Sequence, residues 1–318
     1  MGVAINNRNN GGMMNESTSQ RVNESTNLVR RIGIYMSLIK FSHTLFALPF
    51  ALIGFVLGVL TTDTTWDWSL FIKTLLCMVF ARSAAMAFNR WLDRRYDALN
   101  PRTAKREIPA GVVRPTGALL FTIVCCACFI ATTWTINQTV FFLSPVAISV
   151  ILFYSYTKRI TALCHLVLGV GLSLAPVGAY LCVHPGFDWL PVLFSGMVLT
   201  WVSGFDIIYA LQDIDFDRSQ GLHSIPAALG SKGALVASAL LHLITAGLVI
   251  TAGFYGHFNI WYWVGAAVFT GLLVYQHLIV SPSDLSHVNI AFVNTNSAAS
   301  ILFAIFTIAA LFIQYYPL

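Results

Sequence analysis

Two aspartate pairs, Asp93/Asp97 and Asp213/Asp217, stand at the ends of hydrophobic segments in a chain that is otherwise poor in acid. The D-x-x-x-D spacing stacks both carboxylates of a pair on one helical face, about a turn apart. Each pair has a polar residue upstream in phase: Arg82 and Asn89 before the first, Asp206 before the second. Carboxylates at the edge of a bilayer are costly unless they hold something positive. Mg²⁺ is the economical candidate, since it binds few carboxylates and completes its shell with water and phosphate oxygens. Two opposed acidic clusters beneath basic loops would clamp a diphosphate. The cations for its departing charge are Arg94, Arg102, Lys105, Arg106, Lys158 and Arg159. A long hydrocarbon tail would lie among the apolar helices, so an isoprenyl diphosphate has the required layout. Ionising its C–O bond leaves an allylic cation, which calls for a dry cavity with π-faces.

The elements that must position these groups are membrane helices. The 318 residues are 57% hydrophobic and 10% charged, with a mean hydropathy of +0.74, the composition of a polytopic membrane protein. Nine spans are expected, at 34–60, 70–92, 116–135, 138–157, 161–183, 190–212, 233–254, 258–280 and 288–314, each near the ~20 residues that cross hydrocarbon. Lys and Arg cluster in alternate loops: Arg94 to Arg114, Lys158/Arg159, and Arg218 with Lys232. The intervening loops carry none. The positive-inside rule then places the N-terminus and both aspartate pairs in the cytoplasm of a multi-pass inner (plasma) membrane protein, with the C-terminus opposite. Nothing in the chain points to nucleic acid as a partner, and oligomeric state is not legible. Residues 1–29, rich in Asn, Ser and Thr, read as a disordered cytoplasmic tail ahead of a membrane domain at 30–318. The six cysteines lack metal spacing and read as apolar filler.

Both polar loops return to the membrane through Ile-Pro-Ala, at Ile108–Ala110 and Ile225–Ala227. That suggests an internal duplication of the segments around 82–111 and 206–227.

The stretches 89–97 (NRWLDRRYD) and 206–217 (DIIYALQDIDFD) resemble the two signature motifs of the UbiA superfamily of intramembrane aromatic prenyltransferases. The resemblance extends over residues 35–315 and includes 102–111, 156–159 and the first helix around 43–50. The wording of 41–49 and 221–226 is similar to bacterial 4-hydroxybenzoate polyprenyltransferases, especially the branch linked to menaquinone formation by the futalosine route. Arg90 stands where many members carry a second Asp. The resemblance implies an all-α bundle of nine membrane helices with a central cavity and cytoplasmic cap loops. It implies Mg²⁺-dependent transfer of a polyprenyl chain to a ring carbon of a hydroxylated aromatic acid in ubiquinone or menaquinone biosynthesis. Asn89, Asp93, Asp97, Asp213 and Asp217 would bind Mg²⁺-diphosphate, and Asp206 and Tyr209 would sit deeper, near the reacting carbon or the acceptor.

Arg82, inside its span, could contact the acceptor's carboxylate or diphosphate, or could pair internally with Asp206. Lys40 and His43 could touch the aromatic acid or could cap and snorkel. Asp215 falls opposite Asp213 and is left out of the metal set. His165, His242, His257 and His277 show no partner pattern and read as structural or interfacial. A haem- or chlorophyll-type acceptor would keep the same chemistry. A transporter is the alternative of a different class, but transport sites sit near mid-membrane on broken helices, whereas these acids cluster at one face.

Overall fold

The computed structural model describes residues 33, 37–38, 46–62 and 64–316. Lys40, His43 and the 1–29 tail lie outside the described residues. Among the described residues the chain is all-helical, without strands. We number the helices α1 (Leu48–Thr61), α2 (Trp68–Leu99), α3 (Pro115–Trp134), α4 (Gln138–Thr157), α5 (Cys164–Val183), α6 (Trp189–Ala210), the short α7 (Ile214–Ser219), α8 (Ile225–Tyr255), α9 (Ile260–Ile279) and α10 (Asn296–Tyr315). Among the described residues eight helices are long and apolar enough to cross a membrane, with α1 a shorter apolar ninth. The protein is an integral membrane protein, and the eight spans and α1 together make up the expected nine-helix bundle among the described residues.

The first N–H groups of a helix have no partner within it, and lipid offers none. Here the chain supplies its own acceptors. Asp67, Asn137, Asp188 and Asn259 each accept a backbone N–H of the first turn of α2, α4, α6 and α9. Pro115 and Pro226 open α3 and α8, where a missing N–H costs nothing. The expected start of the seventh span at 233 corresponds to a kink. Gly230 breaks α8 with φ 68°, a conformation that an L-residue adopts only under strain.

The helices form a ring in which α1 packs on α5 and closes against α10, and α6 packs between α5 and α8. The apolar core is aromatic-rich, with Phe50, Phe194, Trp201, Phe269, Tyr262 and Phe303 buried between α1, α6, α9 and α10. Close approach requires glycine where α1 crosses α5. A β-carbon on Gly54 would overlap the carbonyl of Pro176. Gly54→Val is therefore expected to lower the thermal inactivation midpoint in detergent, by the equivalent of about 1–3 kcal/mol of overpacking. An unchanged midpoint would mean that α1 does not seat on Pro176.

A π-helical turn, Ile290–Thr295, precedes α10. Its widened carbonyls are recovered by Asn296, whose Nδ2 donates to the carbonyls of Ala291 (3.1 Å) and Phe292 (2.9 Å). The Asn296 carbonyl in turn accepts from Trp201 Nε1 at 3.0 Å and Gln276 Nε2 at 2.8 Å. This buried network ties α6, α9 and α10 together and holds Phe292 at the polar end of the bundle.

Candidate active site

α2 continues seven residues beyond the expected span limit of 92, so Asn89, Asp93 and Asp97 lie on one continuous helix, as their spacing predicts. The second pair departs from expectation. Leu211–Asp213 is a 3₁₀ turn, and Asp213 has non-helical φ −109°, ψ 7° before α7 begins. D-x-x-x-D thus spans a joint there. Tightening the chain at the end of α6 turns Asp213 toward the first cap loop.

Between the two sets lies a cavity of about 270 Å³, walled by Arg82, Asn89, Asp93 and Asp97 of α2, Lys158 and Arg159 after α4, and Asp206, Tyr209 and Asp213 of α6 and its end. A second, mainly apolar cavity of about 320 Å³ runs between α2, α4 and α5. Arg82, Tyr154, Leu168 and Leu172 belong to both walls. A charged chamber thus adjoins an oily one through a junction carrying a single guanidinium.

Every aspartate of the two pairs faces a cation. Arg159 Nη2 lies 2.7 Å from Asp93, whose other oxygen accepts from Asn89 Nδ2 at 3.0 Å. Arg106 Nη1 lies 2.6 Å from Asp97 Oδ1. Arg102 binds Asp213 through Nε at 3.1 Å and Nη2 at 2.5 Å, a bidentate fork. Lys158 Nζ lies 2.7 Å from Asp217. Burial disfavours the Lys158 ammonium, but the carboxylate of Asp217, with Asp213 beyond it, more than offsets this and holds Lys158 above the ordinary lysine range.

The loop between α2 and α3 is built to deliver two of these cations. Asn100 caps α2 through its N–H to the Tyr96 carbonyl, and Thr103 Oγ donates to the Asp97 carbonyl at 3.0 Å. Gly111 takes the left-handed turn at φ 74° before α3. Arg102 also donates from Nη1 to the Tyr209 hydroxyl at 2.8 Å and lies 5.1 Å above that ring. The other face of Tyr209 stacks on Phe292 at 4.0 Å. The second cap is pinned by the His223 N–H to the Lys158 carbonyl at 2.7 Å.

Several expectations fall elsewhere. Arg94 lies over Trp91 and donates to its carbonyl at 2.6 Å, and Lys105 is exposed on the loop; neither lines the cavity. Asp217 is fully buried behind Lys158 and Ser224, outside the cavity wall. Asp215 is exposed, in keeping with its exclusion. Arg90 is buried 3.9 Å from Asp97 and does not line the cavity. Among the described residues Arg82 has no ion pair or hydrogen bond to Asp206, so the internal pair is not formed. The partner of Asp206 is His165, at 2.6 Å, a residue that reads from sequence as structural. Asn100 (3.1 Å from Asp213) and Ser224 (2.9 Å from Asp217) also escape a reading of charges, though Ser224 before Ile-Pro-Ala is a recognisable helix N-cap.

The UbiA prenyltransferase family matches residues 47–301. The chain is 28% identical to a 4-hydroxybenzoate octaprenyltransferase of Aliivibrio fischeri (strain MJ11), over 94% of this chain and 99% of that one. It is 30% identical to the protein of the same description from Tolumonas auensis, over 70% and 78%. The apo structure of a UbiA homolog from Aeropyrum pernix K1 superposes with a TM-score of 0.72 at 30% identity, covering 86% of this chain and 98% of that one. A UbiA homolog from Archaeoglobus fulgidus, solved bound to GPP and Mg²⁺, shares the fold with a TM-score of 0.65 at 21% identity, covering 87% and 99%.

Proposed function

Because this chain belongs to the UbiA prenyltransferase family, we propose that it transfers a polyprenyl group from a polyprenyl diphosphate to a ring carbon of 4-hydroxybenzoate, a step of quinone biosynthesis. It is an enzyme of the prenyltransferase class. The observation that carries the substrate reading is the pair of adjoining cavities, one lined by carboxylates and cations and one by apolar side chains, meeting at Arg82 and Tyr154. A molecule with a diphosphate head and a hydrocarbon tail fits both at once. The names of the relatives supply the acceptor.

The donor set suits Mg²⁺. Asn89, Asp93, Asp97, Asp213 and Asp217 offer only hard oxygens from carboxylates and an amide. Asp97 Oδ2 is buried yet has no hydrogen-bond partner among the described residues. Asn89, Asp93, Asp97 and Asp213, which line the chamber, would hold the metal, which when bound neutralises charge on the departing diphosphate. Asp217, buried behind the wall, would act by holding Lys158. Arg102, Arg106, Lys158 and Arg159 already converge on the same chamber, and each can exchange a carboxylate oxygen for a phosphate oxygen without moving far. Tyr209 and Phe292 present aromatic rings to the chamber, where they would face an allylic cation. Leu168, Leu172, Val202 and Phe205 exclude water from the deeper wall. Arg82 at the junction would take the acceptor's carboxylate. The basic loops beside the chamber orient this end toward the cytoplasm by the positive-inside rule.

The test is an assay of purified protein with labelled polyprenyl diphosphate and Mg²⁺, offering 4-hydroxybenzoate and a dihydroxynaphthoate side by side. Prenylated 4-hydroxybenzoate is expected, and its formation should cease with EDTA. Product from the naphthoate alone would replace the acceptor, and no product from either would sink the reading.

A further inference from the structure

His165 sits in the first turn of α5 with its side chain 4% exposed, and its Nδ1 lies 2.6 Å from Asp206 Oδ2. Both residues line the polar chamber. The backbone that carries the ring is fixed from behind. Ser203 Oγ donates to the His165 carbonyl at 3.1 Å, and Gly169, one turn on, lets α5 close on Leu199 and Ser203 of α6. A carboxylate only accepts hydrogen bonds, so the proton between the two belongs to Nδ1. In its neutral form the imidazole then presents the lone pair of Nε2. That atom is buried and has no hydrogen-bond partner among the described residues. A buried polar atom left without a partner is uncommon and calls for a reason.

Prenylation of an aromatic ring needs a base at the carbon that reacts, and the chamber offers few. Asp93, Asp97 and Asp213 each hold an arginine, and Asp217, outside the wall, holds Lys158. Asp206 is engaged by His165 itself. We propose that His165 Nε2 is the base that removes the ring proton, with Asp206 as the positioning residue that fixes its tautomer and stabilises the imidazolium. The assignment rests on the prenyl-transfer reading above. In the step, the donor C–O bond breaks and its electron pair leaves with diphosphate. The ring carbon ortho to the hydroxyl gives a pair to the allylic carbon, forming the C–C bond. The C–H pair at that ring carbon then restores aromaticity, the proton passes to Nε2, and the departing diphosphate takes it from the imidazolium.

The experiment compares wild type with His165→Ala and His165→Gln on protiated and ring-deuterated 4-hydroxybenzoate, following product and thermal midpoint. Glutamine preserves an N–H donor to Asp206 but cannot accept the proton, so it tests the chemistry if alanine disturbs packing. Both variants are expected to lose about 10²–10⁴-fold in kcat, the range for a general base. Their deuterium isotope effect on kcat should rise at least twofold above the wild-type value, because proton removal becomes slow. Turnover within about threefold of wild type in either variant overturns the assignment. So does a large loss with the isotope effect unchanged, which is what a merely structural residue would give. A wild-type enzyme that prenylates nothing refutes the prenyl-transfer reading instead, and the assignment falls with it.

Discussion

Asp213→Ala is expected to reduce turnover by at least about 10³-fold at saturating Mg²⁺, the equivalent of roughly 4 kcal/mol of transition-state stabilisation. Asp213 stands where three functions meet. It accepts both prongs of Arg102, it accepts from Asn100 at 3.1 Å, and it closes the side of the chamber opposite Asp93. Removing it would unhook the first cap loop from the end of α6 and would cost the metal site one of its carboxylates. Stability should change far less than activity. The Arg102 side chain is 31% exposed, and ion pairs that water can reach are worth only about 0–1 kcal/mol. The variant should therefore fold, and steady-state kinetics with labelled donor can be read as chemistry. Asp213→Asn separates the two roles, since the amide still hydrogen-bonds but no longer carries charge. If Asn is as damaging as Ala, charge is what matters. Near-normal turnover of Asp213→Ala or of Asp93→Ala would remove the basis for a two-cluster clamp.

The legible and illegible parts of this protein divide by the range of the interaction. Span positions follow from hydropathy and loop charge, which are local, and most helices start and stop within a few residues of the expected limits. The exceptions are α1, which begins at Leu48 after a turn at 46–47 and not at 34, α2, which runs on to Leu99, and α8, which begins at Ile225. Asn89, Asp93 and Asp97 follow from helical periodicity alone. The 3₁₀ joint at Leu211–Asp213 does not, because the same spacing satisfies both geometries. The partnership of His165 with Asp206 is the clearest miss. The two lie 41 residues apart on neighbouring helices, so no spacing within either helix announces the pair. A signal was present, however: an aspartate inside a span needs a donor, and His165 lies in the adjacent span. Arg82 was the rival donor, and packing decided between them. Arg94 fails for a simpler reason, since a cation in a basic loop can stack on a nearby indole instead of facing the site.

Arg82→Ala is expected to raise the KM for 4-hydroxybenzoate about 10²-fold and to leave the KM for the prenyl donor nearly unchanged. Arg82 lines both cavities, and among the described residues its Nε has no hydrogen-bond partner. A guanidinium left open at the junction of a charged and an oily chamber is placed to receive an anion that arrives with an aromatic ring. A charge-assisted bond of that kind contributes about 1.5–3 kcal/mol, more where the fork is bidentate and water is excluded. The comparison that isolates it uses phenol, which lacks the carboxylate. Wild type should strongly prefer 4-hydroxybenzoate over phenol, and Arg82→Ala should treat them alike. Were the donor's KM to rise instead, Arg82 would belong to the diphosphate. Stability should move in the opposite direction from function. A buried charge without a counter-ion costs free energy in the unliganded protein, so the alanine variant should melt no lower than wild type. A residue retained against its own folding cost is one whose benefit comes with substrate.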